Sequence, residues 1–428
     1  MISKKCLCAA ILSCTAGLST NTNAAIFDMG EAGKLELNAD AFIKGYSVNN
    51  NASSIGEGVS EKGAQSRVRL SMNMFNTSDW AMYTRLLGYY DWAGDRRYSN
   101  GAGSSVNDGT NSDSLSLDVA FLEYQGIDSW LFRAGRQEAS WSYGFSIEDD
   151  RRDRIIAMNN ITLDGGHMML FGYYDLRFAK EHSEHVNAPN FRDDLNVYAI
   201  GTVGNYQDLD WGMQWAYFDG SNASPSESSN PYRMDDVHLF LPNFAKTMGN
   251  FSFKGAANII FSDSNSDKDA VYFWGNDNIA AFLEGGYQFL PEFQLQAQVA
   301  AFTDGGLIGN GWDSYSLLIN NDPNNEINPA RTFHFGGYGN VDGRGEDGLL
   351  YGLRANWNPN EKLKLTFAIG HLDVDYYGEP NNQTESTFYD IKALYEFSQG
   401  NSIEIRTGHA DGDLKDTSLL TTLRVGFG

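Results

Sequence analysis

The chain has 428 residues, 31 Lys+Arg against 55 Asp+Glu, and a formal charge of −24. Such acidity argues against a nucleic-acid partner, which would need a basic face. Mean hydropathy is −0.40, and past the N-terminus there is no apolar run of the roughly 18 residues that a membrane helix needs, which excludes a helical membrane protein.

Residues 1–25 read as a secretory signal: Lys4 and Lys5, an apolar run over 6–19, and small residues at Asn23-Ala24-Ala25. Ile11-Leu12-Ser13-Cys14 also weakly resembles a lipoprotein cleavage box. Cys6, Cys8 and Cys14 all lie in this segment, so a processed chain would carry no disulfide and no thiol chemistry. Residues 26–428 read as one domain. Within it, alternating segments begin near residues 33, 64, 79, 113, 129, 152, 166, 194, 208, 236, 250, 277, 293, 347, 361, 386, 401 and 416. The connections alternate in length. Short ones carry turn residues, as in Asn76-Thr77-Ser78-Asp79, Asp164-Gly165-Gly166 and Asn358-Pro359-Asn360-Glu361. Long polar ones cover about 50–63, 93–112, 140–151, 182–193, 220–233, 263–276, 306–345, 377–385 and 409–415.

The alternation is regular. Phe251, Phe253, Gly255, Ala257, Ile259 and Phe261 share one face against Lys254 and Asn258. Phe293, Leu295, Ala297 and Val299 oppose Gln294, Gln296 and Gln298, and Leu349, Tyr351, Leu353 and Trp357 oppose Arg354 and Asn356. Aromatic residues collect at strand ends, among them Trp80, Tyr90, Trp92, Trp130, Trp211, Trp215 and Trp357. These features predict an all-β, transmembrane antiparallel barrel of about 18 strands (about 16 at the fewest), with short periplasmic turns and long extracellular loops. A secreted β-sandwich with one wet face also alternates. It would not keep long and short connections in strict turn. The expected location is the bacterial outer membrane, with lipid and lipopolysaccharide as neighbours. Acidic loops would bind divalent ions that bridge them to lipopolysaccharide phosphates.

A lipid-facing Arg or Lys at the mid-membrane costs roughly 2–4 kcal/mol, so the polar parity is assigned to the lumen. That parity gathers Arg67, Arg69, Arg85, Arg177, Lys254, Arg354, Lys364, Lys392, Arg406 and Arg424. Its carboxylates are Asp118, Glu284, Asp390, Glu396 and Glu404. Basic groups in a narrow tube attract anions, and the planar fork of arginine suits carboxylates. A purely structural ladder of ion pairs would use the same residues. The longest connection, 306–345, could fold into the mouth as a constriction, where Arg331 and Arg344 would meet substrate.

Residues 131–181, with Leu131-Phe132-Arg133-Ala134-Gly135-Arg136-Gln137, a loop holding Trp141 and Tyr143, and a return strand to Thr162-Leu163-Asp164-Gly165-Gly166, resemble the alginate-export family of outer-membrane porins. The resemblance implies a monomeric barrel of about 18 strands with an arginine-rich constriction passing an anionic uronate polymer. It makes Arg136 a lumen arginine. Arg133 and Arg136 differ in parity, so both could face inward only across a bulge near Gly135. The family's long periplasmic gating turn has no counterpart here, and uptake is as compatible as export.

Other chemistry has weak support. Asp322 and Glu326 in an outer loop could coordinate structural calcium, but the spacing does not match the calcium-loop pattern. His182 and His185 beside Glu181 and Glu184 read as a polar loop rather than a metal site. No other cofactor is expected. An outer-membrane hydrolase would need a histidine with a nucleophile near the rim, and no such order stands out. The leading expectation is therefore a non-enzymatic channel passing anionic solutes, acidic oligosaccharides such as uronates, by passive diffusion. A general or neutral-sugar porin with a structural charge ladder is the alternative.

Overall fold

The computed structural model describes residues 24–30, 33–50, 59–76, 78–92, 114–178, 195–219, 235–262, 277–320, 328–337, 339–340, 343–377 and 383–427. It contains β1 (Ala25–Asp28), β2 (Lys34–Asn50), β3 (Val59–Phe75), β4 (Trp80–Asp91), β5 (Ser114–Tyr124), β6 (Trp130–Trp141), β7 (Ile147–Leu163), β8 (Gly166–Phe178), β9 (Leu195–Tyr206) and β10 (Leu209–Asp219). There follow β11 (Asp235–Met248), β12 (Phe251–Ser262), β13 (Asn278–Leu290), β14 (Phe293–Thr303), β15 (Gly339–Asn340), β16 (Gly343–Asn360), β17 (Leu363–Tyr376), β18 (Gln383–Ser398), β19 (Asn401–Gly412) and β20 (Thr417–Phe427).

Each wall strand pairs antiparallel with its sequence neighbour, and β14 pairs directly with β16. Pairing of β2 with β20, from Ala39 opposite Phe427 to Asn49 opposite Thr417, closes the sheet. Leaving aside β1 and β15, this is the expected 18-stranded barrel. β1 was not foreseen. It pairs with β2 over Lys34–Leu37, just below the point where β20 stops. Residues 1–23, which hold most of the expected signal, lie outside the described residues.

β3, β7, β16 and β18 begin at Val59, Ile147, Gly343 and Gln383, earlier than their apolar alternation. All four descend from the extracellular side. Their first residues include polar ones such as Glu148, Glu346, Thr384 and Ser386. Hairpin pairing thus continues above the apolar belt, where hydropathy no longer marks it.

The exterior is the apolar face. Val68, Leu70, Leu122, Ile155, Ile200, Leu283, Leu353, Ile369, Ile391 and Leu423 are exposed, as lipid-facing positions are when no lipid is present. Inside, the described parts of the connection after β14, Asp304–Asn320 and Asn328–Gly337, fold back between the walls instead of standing outside. Its Trp312, Tyr315, Leu318, Ile319, Phe333 and Phe335 are buried against inward-facing Phe282, Phe302, Leu350, Leu372 and Phe388. Each such side chain contributes roughly 1.5–3 kcal/mol by leaving water. Leu317 and Ala330 pack on Tyr46, Val48 and Leu420. On β13, β14 and β16–β18 the inward faces are thus apolar towards the extracellular end, whereas on β6–β8 Leu131, Met158 and Met169 lie on the periplasmic side of Arg154 and Asp175.

A second inward segment follows β6. The short turn Ser142–Gly144 leads to Phe145, which packs on Phe282 and Trp312. Gly144 has φ +78°, and a Cβ there would lie 2.4 Å from the carbonyl oxygen of Gly311. Only glycine lets the two segments touch so closely. Asn258 on β12 donates to the carbonyls of Phe145 (3.1 Å) and Leu307 (2.8 Å), tying both segments to the wall.

Candidate functional site: the charged path and its constriction

Register and exposure set the parity of each strand. Asp40 stands opposite Arg69, and Phe42 opposite Arg67, on the face away from the exposed Val68 and Leu70. Lys254 stands opposite Glu284, Gln296 opposite Arg354, and Lys392 opposite Arg406. Glu404 is level with Thr422, and Arg424 with Phe42 and Ser402. The candidate residues Arg67, Arg69, Arg85, Lys254, Glu284, Arg354, Lys364, Lys392, Glu404, Arg406 and Arg424 therefore occupy inward parity.

One wall carries short ion pairs capped by aromatic rings. Arg69 donates to Asp40 at 2.9 Å, and Arg67 lies 4.4 Å from the centre of the Phe42 ring. Arg133 donates to Glu123 at 2.7 Å and faces Phe121. Arg154 makes a two-pronged contact with Asp175 at 2.6 and 2.7 Å and stacks 3.8 Å above Tyr173. Neither Arg133, Arg154 nor their carboxylates stood among the candidate site residues. The signal was present in the parity of β6, β7 and β8, but loop-like charges around 149–154 hid it.

The opposite wall meets the inward loop. Arg354 donates to Gln296 at 2.9 Å, pairs with Asp313 of the loop, and stacks 3.9 Å from the Tyr315 ring centre. Lys254 contacts Glu284 at 3.2 Å and lies 5.8 Å from the Tyr143 ring centre. Arg406 donates to Asp390 at 3.0 Å, and Asp390 also accepts from the Leu317 amide at 2.7 Å and the Ser316 hydroxyl at 3.1 Å. Lys364 pairs with Glu396 at 2.9 Å. Burial alone would raise the Asp313 carboxyl, but Arg354, Arg406 and Lys392 outweigh it and hold it well below the usual carboxylate range. Burial raises the Tyr315 phenol, with the Glu284 charge adding to it, so this ring stays neutral.

Other candidates are placed differently. Arg136 stands opposite Ala120 on β5 and Asp153 on β7, on the face of the exposed Ala134 and Ile155. It contacts Asp153 at 3.3 Å. Gly135 has φ +125°, yet the register runs unbroken through it, so Arg133 and Arg136 keep opposite parity. The described loop brings Asp313 to the arginines; the Arg331 backbone amide caps Asn328 at 3.3 Å. The side chains of Arg177 and Arg344, and Asp322, Glu326, His182 and His185, lie outside the described residues. Among the described residues, no three His, Cys, Asp or Glu side chains gather as a metal would require.

In four wall pairs the carboxylate is the more buried member, whereas in Arg67–Asp40, Arg69–Asp40 and Lys364–Glu396 the cation is. Exposure is 30% for Lys254 against 6% for Glu284, and 19% for Arg133 against 3% for Glu123. Arg406 with Asp390 and Arg154 with Asp175 follow the same order. At those four pairs the cation is the member nearer the water.

No family model and no curated protein matches the chain. Solved structures do match. OccAB1 of Acinetobacter baumannii is 10% identical, with 96% of this chain and 99% of that chain covered and a TM-score of 0.55. OccK2 (OpdF) of Pseudomonas aeruginosa, solved in complex with glucuronate, is 10% identical over 91% of this chain and 98% of that one, with a TM-score of 0.58. OpdK of the same organism, solved with vanillate, is 10% identical over 91% and 99%, with a TM-score of 0.57. At such identities the likeness is one of fold: this chain has the architecture of bacterial outer-membrane porins. The likeness supports a porin fold, but not the narrower alginate-export label.

Proposed function

We propose that the chain is an outer-membrane channel passing small anionic solutes, with acidic sugars such as uronates as the preferred class. The carrying observation is the exposure order of four wall pairs, Lys254–Glu284, Arg133–Glu123, Arg406–Asp390 and Arg154–Asp175, in which the cation is nearer the water than its carboxylate. A solute carboxylate entering the constriction meets Arg354 and Arg406, and aromatic rings at Tyr143 and Tyr173 offer flat apolar surface to a sugar ring. Asp313 is the counter-charge such a solute must displace, since it reaches Arg354 from the loop rather than from the wall. Structural neighbours solved with glucuronate and vanillate, both small carboxylates, support the class. Passage of a longer uronate chain, as the alginate-export resemblance implies, would use the same cations, and so would short acidic oligosaccharides. In this reading the barrel's apolar belt faces lipid and its loops face lipopolysaccharide, with no catalysis and no resident cofactor.

The completeness of the ion pairs favours a second reading, a general or neutral-sugar porin in which the charges only brace the wall. Single-channel current block separates the two. Glucuronate should shorten open times at concentrations where glucose has no effect. Equal block by both sugars would leave the second reading standing.

A further inference from the structure

The wall is incomplete between β5 and β6. Their ladder holds only from Tyr124 opposite Phe132 to Ala120 opposite Arg136. Above it, towards the extracellular side, Ser114–Val119 pair with β4 alone and Gln137–Trp141 with β7 alone, among the described residues. A bulge at Asp118 turns β5 aside at this level. Unpaired strand edges at membrane depth are tolerated only where they line protein or water.

Side chains, not backbone, bridge the gap. Arg85 projects from inward parity on β4, and Glu138 from outward parity on β6, yet the two form an ion pair. Asp118 receives both Arg85 and Arg151 at 2.5 Å, and Arg151 reaches Glu138 at 3.7 Å. The four charges therefore run through the wall from lumen to exterior. Asp118 and Arg151 are each 1% exposed, whereas Glu138 is 45% exposed and is the member that an incoming anion can replace. Outside the seam lie exposed Leu115, Leu117 and Ile155. The outward pair Arg136–Asp153 sits two residues above the Ala134–Ile155 rung, where lipid alone would be a costly neighbour.

We propose that this seam is a lateral passage between the lumen and the outer leaflet, and that it takes single-chain amphipathic carboxylates. The anionic head replaces Glu138 on Arg85 and Arg151, while the alkyl tail leaves over Leu115 and Leu117 into lipid. This passage is separate from the axial path and independent of which solute uses that path.

The test uses the full barrel in lipid vesicles and a long-chain alkyl carboxylate carrying a diazirine in its tail. Photolabelling should concentrate on Leu115, Leu117 and Ile155, and the matching alkyl alcohol should not reproduce it. Glu138→Gln should tighten half-maximal labelling by roughly two- to fivefold, the worth of one exposed ion pair. Bridging Leu115→Cys to Ser140→Cys with a bifunctional thiol reagent should abolish the labelling while chloride conductance persists, which also verifies that the bridged barrel is folded. Labelling spread evenly round the belt, equal labelling by the alcohol, or labelling that survives the bridge would overturn the proposal. Glucuronate block, measured on the same bridged protein, reports on the axial reading separately.

Discussion

At the scale of single residues, the same ion pair can brace a wall or attract a solute, and substitution separates the roles. Arg154 and Asp175 form a two-pronged pair with 11% and 3% of their side chains exposed. Arg154→Met leaves a buried carboxylate uncompensated and should cost about 3–5 kcal/mol. Adding Asp175→Leu should recover most of that loss in urea unfolding of the micellar barrel, as expected where packing replaces charge. Recovery failing in the double variant would show that this pair does more than hold structure. Asp313 is different, because it belongs to the loop and is 40% exposed. Asp313→Asn should lower stability, because the folded state loses a carboxylate that Arg354, Arg406 and Lys392 hold ionised, and should release Arg354 to the path. Glucuronate block should then strengthen by several-fold; weaker block would mean that Asp313 positions Arg354 rather than competing for it.

At the scale of elements, the inward loop packs against the wall, and its hold there is expected to depend on pH through His334. Burial, with Arg331 adding to it, pushes the His334 ring down to about 3. An unfolded histidine titrates near 6.5, so the folded loop binds fewer protons between those values. The stability that the neutral ring contributes is therefore complete above about pH 6.5 and is lost progressively as pH falls towards 3. Proteolytic nicking of residues 306–337 should rise between pH 7 and pH 5, and His334→Gln should remove that dependence. A native loop equally resistant at both values would contradict this assignment.

The loop also marks the limit of what the sequence made legible. Period-two alternation and turn residues found the wall strands, because lipid imposes one chemistry on every outward position. No such rule binds the inward positions. Leu241, Ile260, Phe282, Phe302 and Phe388 are apolar because the loop lies on them, and alternation alone read the lumen as wet. Asp313 was missed for the same reason: a carboxylate among Asn and Gly looks solvated until the chain folds back on Arg354. Arg136 shows the converse. Its motif resemblance pointed inward, while the unbroken register through Gly135 sends it outward.

At the scale of the whole molecule, the proposed channel is an acidic chain whose selectivity would rest on cations in its interior. In four wall pairs the carboxylate is buried behind its partner, and the field inside a narrow tube is set by the charges nearest the water. The overall charge of −24 then says little about which ions pass. The most direct measurement is the zero-current potential of single channels in a planar bilayer under a potassium chloride gradient at neutral pH. The account predicts a potential of the sign given by chloride selectivity, moving towards zero when Arg67, Arg354 and Arg406 are replaced together by alanine. A potential of the opposite sign in the native channel, showing preference for potassium, would contradict it.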